Sequence, residues 1–205
     1  MIAAVTLSNA AVCLEPLMRG HAEGLAGAAA DGELWNLWYT SVPAPESMNA
    51  YIEGALAAQA EGHELPFVIR LPESGRIIGS TRYLHIAEEH RRLEIGSTWI
   101  ARSCQGTVVN PATKLLLLEH AFGELGMNRV EFLTHAKNAQ SRAALLKLGA
   151  SHEGILRHHK ILPDGSLRDS VVFSILATEW PAVRESLERR VAAAVGVSGG
   201  RGGRG

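Results

Sequence analysis

The chain lacks the features that would mark a secreted, membrane-embedded or polyanion-binding protein. It has two cysteines, Cys13 and Cys104, in 205 residues, too few for a disulfide framework and without the C-x-x-C spacing of redox or zinc sites. Both read as reduced thiols, which points to the cytoplasm. No apolar run approaches the roughly 18 residues of a membrane span, and no basic residues precede the first apolar stretch, so neither membrane insertion nor a secretory leader is expected. Lys and Arg number 20 against 21 for Asp and Glu, a formal charge of −1, which offers no general attraction to nucleic acid or to an anionic membrane. Nine histidines raise the question of a metal. The adjacent pair His158 and His159 falls in a strand pattern, where successive side chains point to opposite faces and do not readily share an ion. No metal is expected.

What is present is an ordinary globular composition, 46% hydrophobic and 20% charged, enough for one core and one domain. Residues 12–14 read as an edge strand, 18–30 as an Ala-rich helix and 46–59 as a second helix. Residues 67–71 and 77–84 are strands bounding the turn P-E-S-G, and E-E-H-R-R at 88–92 is a charged connector. The stretch 93–125 then runs as strand (L-E-I-G-S-T-W-I), polar loop and helix. Asn110 suits an N-cap and Pro111 the first helical position. The unpaired amides and positive dipole end of that helix would face Gln105, Gly106, Thr107, Val108 and Val109, an anion site suited to a phosphorylated cofactor. Leu115, Leu118, Phe122 and Leu125 recur at steps of three and four, so the helix buries one face, with Glu119 and His120 on its exposed strip. A strand at 129–135 and a helix ending at Gly149 follow. Two closing strands, 152–162 and 167–176, flank P-D-G-S, and a terminal helix from 179 to about 195 precedes a Gly/Arg tail. Alternating elements closed by a hairpin predict a mixed sheet with helices on both faces.

Several of these segments carry a family resemblance. R-V-E-F-L-T-H at 129–135 leads into Asn138, Ser141 and L-G-A at Leu148, Gly149 and Ala150; E-G-I-L-R-H-H and S-V-V-F-S-I form the closing pair; C-L-E-P-L with His21 opens the chain. With the 93–125 segment, these resemble the GNAT superfamily of acetyl-coenzyme A dependent N-acetyltransferases, in the branch of the RimJ/RimL-type ribosomal-protein N-terminal acetyltransferases. The resemblance implies an α/β (α+β) fold with a mixed, mostly antiparallel central sheet. It divides the chain into one acetyltransferase domain at 12–183, a helical extension at 184–195 and a flexible tail at 196–205. It also implies acetyl-coenzyme A as co-substrate and direct attack by a primary amine, from a protein N-terminus or a small molecule, in a ternary complex. Homodimers are common in such families. One departure stands out: the family loop reads Q/R-x-x-G-x-G/A, and here Val108 and Asn110 replace its small residues. A branched residue does not readily take positive φ, which keeps a non-catalytic acyl-coenzyme A sensor as the alternative.

The resemblance also suggests roles. Glu94, the one carboxylate within its strand, is the candidate base, since an isolated acid among apolar residues must face a polar cleft or be paired; an ion pair with Arg82 is the competing reading. Backbone amides near Trp99 and Ile100 would stabilise the oxyanion, where the family's strand splays from its neighbour. Asn138 would bond the cofactor arm and Ser141 would protonate the thiolate, unless Ser141 is an ordinary first-turn serine. Arg102 and Lys114 are candidates for phosphate, although a lysine at that helical position often points outward. Trp35, Trp38 and Tyr39 would form the acceptor wall or anchor the core. His158 or His159 would line the acceptor pocket. Cys104 as an acyl nucleophile is disfavoured because that route needs an activating base and access to the thioester, and a cysteine before a phosphate loop reads as a small filler.

Overall fold

The computed structural model describes residues 2–37, 40, 42–162 and 164–199. Eight strands form one sheet in the order β1-β2-β3-β4-β5-β6-β8-β7. β1 (Leu7–Ser8), β2 (Cys13–Pro16), β3 (Leu65–Arg70), β4 (Ile77–Ala87) and β5 (Arg92–Ile100) make one antiparallel half, and β6 (Arg129–His135), β7 (Ser151–Ile161) and β8 (Leu167–Leu176) the other. The short β1 is an addition to the expected strands. The halves join through one parallel pair, β5 with β6, which needs a crossover helix. That helix is α3 (Val109–Glu119), prolonged by a π turn at His120–Glu124.

Helices cover both faces. Arg82 of β4 reaches Tyr51 of α2 (Met48–Ala60), and the next residue, Tyr83, donates its hydroxyl hydrogen to the Leu117 carbonyl of α3 at 2.6 Å. Successive strand residues point oppositely, so α2 and α3 lie on opposite sides. α1 (Ala22–Ala30) packs with α2 and β4, whereas α5 (Trp180–Gly199) packs on α3 through Trp180 against Phe122 and Arg184 with Glu119. α5 therefore runs past the expected end near residue 195, to Gly199, and residues 200–205 of the tail lie outside the described part. Among the described residues no helix is long and apolar enough to cross a membrane.

The core lies on both faces of the sheet, with Leu25 of α1 and Met48 and Ile52 of α2 buried on one and a second layer on the α3 side. Leu117, Leu118, Tyr83, Phe132 and Phe173 are buried there, each contributing about 1.5–3 kcal/mol through removal of apolar surface from water. Two expectations about α3 are corrected. The helix begins at Val109, with Val108 at the N-cap and no side-chain cap, so Asn110 and Pro111 occupy its first turn instead of its boundary. Proline fits there because first-turn amides need no intrahelical acceptor. His120 is buried, since the π turn swings it inward to stack on Tyr83 with its Nδ1 3.1 Å from the phenol. In α4 (Ala139–Leu148), by contrast, Asn138 caps the start and Gly149, at φ 98°, ends the helix as its sequence indicates.

Gly79 of β4 allows β4 and β5 to close: a Cβ there would lie 2.1 Å from the Trp99 carbonyl oxygen. Backbone cannot retreat as a flexible side chain can, so Gly79→Ala should destabilise by about 1–3 kcal/mol. For a domain of this size that lowers Tm by roughly 2–4 °C per kcal/mol. An unchanged thermal midpoint would show that the strands yield freely.

Candidate active site

The parallel junction is short. Arg92 pairs with Arg129, Leu93 with Val130 and Glu94 with Glu131, and there the β5–β6 register ends. Beyond it β5 stays with β4, through Ile100 opposite Gly79, while β6 stays with β8, through His135 opposite Ser170. The strands thus part at Glu94 and leave a gap. β5 is also bulged there: the register shifts between Ser80 and Arg82, and Ser97 takes φ 47°. A bulge re-aims side chains and interrupts pairing. Trp99 and Ile100, the expected oxyanion positions, lie back in register with Ser80 and Gly79. The irregular backbone is instead centred on Ser97 and Thr98.

Glu94 stands where the strands diverge and is 6% exposed. Arg82 is not its partner, because that guanidinium bonds Glu64 at 2.8 Å and lies over the Tyr51 ring. Glu94 Oε2 is instead 2.9 Å from Nδ1 of the exposed His85. Its carboxyl is held above the usual range, chiefly by burial, with His85 and Lys160 opposing the shift and Glu131 adding to it. The carboxylate lies across Gly96, where a Cβ would come within 2.6 Å of Oε1. A desolvated carboxyl beside an open-ended gap is suited to taking a proton.

Lys114 departs most from expectation. It turns inward, is 7% exposed, and donates from Nζ to Thr98 Oγ1 at 3.0 Å, with Nζ 5.6 Å from the centre of the Phe132 ring. It therefore sits between β5 and β6 on the α3 side. Burial brings its ammonium down to about 7, against the charge of Glu94.

The loop before α3 is held by its own side chains. Gln105 donates to the Ile100 carbonyl at 2.9 Å, and Thr107 donates to the Cys104 carbonyl at 2.7 Å. Gly106 takes φ 73°, with no atom within 4 Å of a Cβ built on it, whereas Val108 is helical at φ −66°. The left-handed conformation has moved to the glycine, and Val108 is spared it. Arg102 is exposed beside this loop, where its backbone amide donates to the Asp31 carbonyl. Asn138 uses its side-chain oxygen to accept the Ser141 amide at 2.9 Å, the geometry of a cap. Trp35 is half-buried against the core; Trp38 and Tyr39 lie outside the described residues. His159 is 3.0 Å from Ser170 Oγ through Nδ1, and the His158 amide donates to Asp169. A groove of about 710 Å³ runs past these two histidines along β7 and does not include Glu94.

His85, Ser97, Thr98 and the inward Lys114 are members of this constellation that sequence reasoning missed. One signal was available: Lys114 stands directly before the run of four leucines in α3, and a charge at a buried helical position needs a reason.

A sheet parted beside a phosphate-loop helix is the architecture of an acyl-coenzyme A dependent transferase, and residues 11–151 match the acetyltransferase (GNAT) domain. The chain belongs to the GNAT acetyltransferase family. It is 32% identical over 106 residues to the Bacillus subtilis (strain 168) protein named "Putative ribosomal N-acetyltransferase YdaF", a match covering 52% of this chain and 57% of that protein. The chain thus spans less than two thirds of this relative's length. Among solved structures, an acetyltransferase crystal structure from T. thermophilus superposes with a TM-score of 0.82 at 34% identity, covering 93% of this chain and 100% of that one. Mycobacterium smegmatis RimJ in complex with CoA-disulfide superposes at 0.74 with 28% identity, covering 93% of each chain. The ribosomal-protein acetyltransferase branch is therefore represented among its relatives.

Because the folded state binds the Glu94 proton more tightly than the unfolded chain does, ionising Glu94 opposes folding, and wild-type stability falls as pH rises through the raised pKa. Glu94→Gln should accordingly melt higher than wild type at neutral pH, and the advantage should shrink below that pKa. Thermal melts of both proteins across this range check the sign; a variant less stable at neutral pH would mean that the His85 contact outweighs burial.

Proposed function

We propose that this protein transfers an acetyl group from acetyl-coenzyme A to the α-amine of a protein or peptide N-terminus, with Glu94 as the base. The reading treats residues 12–183 as one catalytic domain. The observation that carries it is the buried, pKa-raised carboxyl of Glu94 at the point where β5 and β6 part. The gap and the open surroundings of Gly106 fit the cofactor. Gln105, Gly106, Thr107, Val108 and Val109, with the start of α3 and Arg102, would hold its diphosphate, and Asn138 would reach its arm through the amide nitrogen left over from capping. Bound acetyl-coenzyme A supplies an activated acyl thioester. Glu94 takes the proton of the acceptor ammonium, directly or through a water, and so maintains the neutral amine that attacks. Backbone amides of β5 that face the gap, from the bulge at Ser97 and Thr98 to Trp99 and Ile100, would stabilise developing negative charge. Ser141 is then primarily part of a cap.

An α-amine is favoured over a lysine side chain by proton affinity. Its pKa is about 8, against about 10.4 for lysine, so a raised carboxyl is better matched to it. The name of YdaF, a ribosomal N-acetyltransferase, agrees with a protein acceptor. The sensor reading drew on Val108, and the helical φ of that residue weakens it.

The test is thiol release from acetyl-coenzyme A with free N-terminal peptides, the same peptides blocked at the N-terminus but carrying lysine, and small amines. Turnover is expected with free N-termini alone and should fall in wild type as pH drops through the raised Glu94 pKa. Glu94→Gln should lower kcat about 10²- to 10⁴-fold. Cofactor binding without turnover on any acceptor would favour the sensor.

A further inference from the structure

A buried lysine generally needs a carboxylate partner, because an ammonium taken out of water is expensive unless paired. Lys114 has no such partner. It makes no ion pair among the described residues, and the Thr98 hydroxyl is its one hydrogen-bond acceptor. That hydroxyl is itself engaged, 2.7 Å from Thr81 Oγ1 and 3.4 Å from the Gly96 carbonyl. An ammonium carries three donors, so two remain unused where Lys114 lies between Thr98 of β5 and Phe132 of β6. These are the strands that part after Glu94. The alternation along β5 and its pairing with β4 put Glu94 on the face of Arg82 and α2, opposite Leu84, whereas Thr98 and Lys114 belong to the α3 face. Base and buried cation therefore flank the gap from opposite sides. An acceptor amine approaching Glu94 would leave the departing group of the reaction on the side of Lys114.

We propose that Lys114 is a catalytic residue whose ammonium meets the sulfur of the acyl donor and protonates it as the carbon–sulfur bond breaks. This rests on the acetyl-transfer reading. As the amide C–N bond forms, the C–S electron pair stays on sulfur and takes a proton from Nζ. The proton lost by the acceptor goes to Glu94 and then to solvent, and solvent restores the ammonium. The groups facing Lys114 are Thr98 and, through its charge, Glu94 from β5, Thr81 of β4 behind Thr98, and Phe132 of β6. Tyr83 and His120, also on the α3 side, are bonded to each other. Glu94 is thus the charge that holds Lys114 protonated, and a lowered ammonium is a better acid toward a thiolate than an ordinary lysine.

The test uses free coenzyme A, whose thiolate absorbs in the ultraviolet, bound to the full chain. In wild type the thiol pKa of bound coenzyme A should fall by about 1 to 3 units, as beside an opposite charge. Lys114→Met should abolish that shift while folding normally, since an apolar replacement of a buried charge is commonly tolerated. Lys114→Arg should keep the shift, because guanidinium retains its charge, yet lose turnover because it does not give up a proton. In kinetics, Lys114→Met should lower kcat about 10²- to 10⁴-fold with little change in KM for acetyl-coenzyme A. Wild-type kcat should also decline at high pH, with no such limb in the variant. A thiol titration unchanged in Lys114→Met, or an unchanged kcat, overturns the assignment of Lys114 alone. Absence of coenzyme A binding by wild type overturns the acetyl-transfer reading, and this one with it.

Discussion

The structure depends on an interruption: the one parallel pairing in the sheet lasts three residues and then stops. Strand edges inside a protein present amides and carbonyls that must find partners, so a parted pair is held open only where surrounding elements keep each strand with its other neighbour. β4 does this for β5 and β8 for β6, the latter through seven consecutive register pairs. Gly79 contributes by letting the Trp99 carbonyl come close, and the Ser97 bulge turns β5 away at the level where the gap begins. The opening is thus a property of the two half-sheets, with Ser97, at φ 47°, carrying backbone strain at the bulge beside it.

That geometry explains the electrostatics. Several charges elsewhere in the fold are matched: Arg82 with Glu64, Arg129 with both Glu131 and Glu153, Arg70 with Glu15. Beside the gap, Glu94 and Lys114 are both buried without an ion pair to arginine or to each other. Burial disfavours the charged form of each, so the acid is pushed up and the lysine is brought down to about 7. Two groups of opposite type beside the gap, on opposite faces of one strand, divide the handling of protons between two directions of approach. A salt bridge between them would satisfy both charges and remove that property.

Much of this was legible in the sequence, and the limits have physical causes. Turn punctuation, apolar periodicity and the Gly149 terminator are local signals, and they located the hairpins, α3 and α4 well. Glu94 stood out because a lone carboxylate in an apolar strand is a local anomaly too. What failed was non-local. Asn110 has the chemistry of a cap, yet the helix starts earlier because Thr107 and Gln105 tie the preceding loop to Cys104 and Ile100. His120 looked solvent-facing under a period of 3.6, and the π turn rotates it onto Tyr83. Lys114 was assigned outward by the habit of lysines, whereas its direction is set by a gap between strands that no local pattern records.

The phosphate loop shows how a motif can change its residues and keep its physics. A glycine is needed where the chain must turn left-handed or let an anion approach the backbone, and the requirement belongs to a conformation, not to a numbered place in a pattern. Here Gly106 takes that conformation with open space around it, which frees Val108 to begin a helix at φ −66°. Counting positions from Gln105 makes the loop look degenerate, but assigning φ to residues does not. The same reasoning applies to Gly96. Its role is not conformational freedom: it leaves the room in which the Glu94 carboxylate lies, since a Cβ would fall within 2.6 Å of Oε1. A glycine in mid-strand normally weakens a sheet. At this one it gives the base its seat, so the sequence G-S-T after Glu94 encodes, in order, the room for a carboxylate, the bulge that parts the strands and the hydroxyl that holds Lys114 between them.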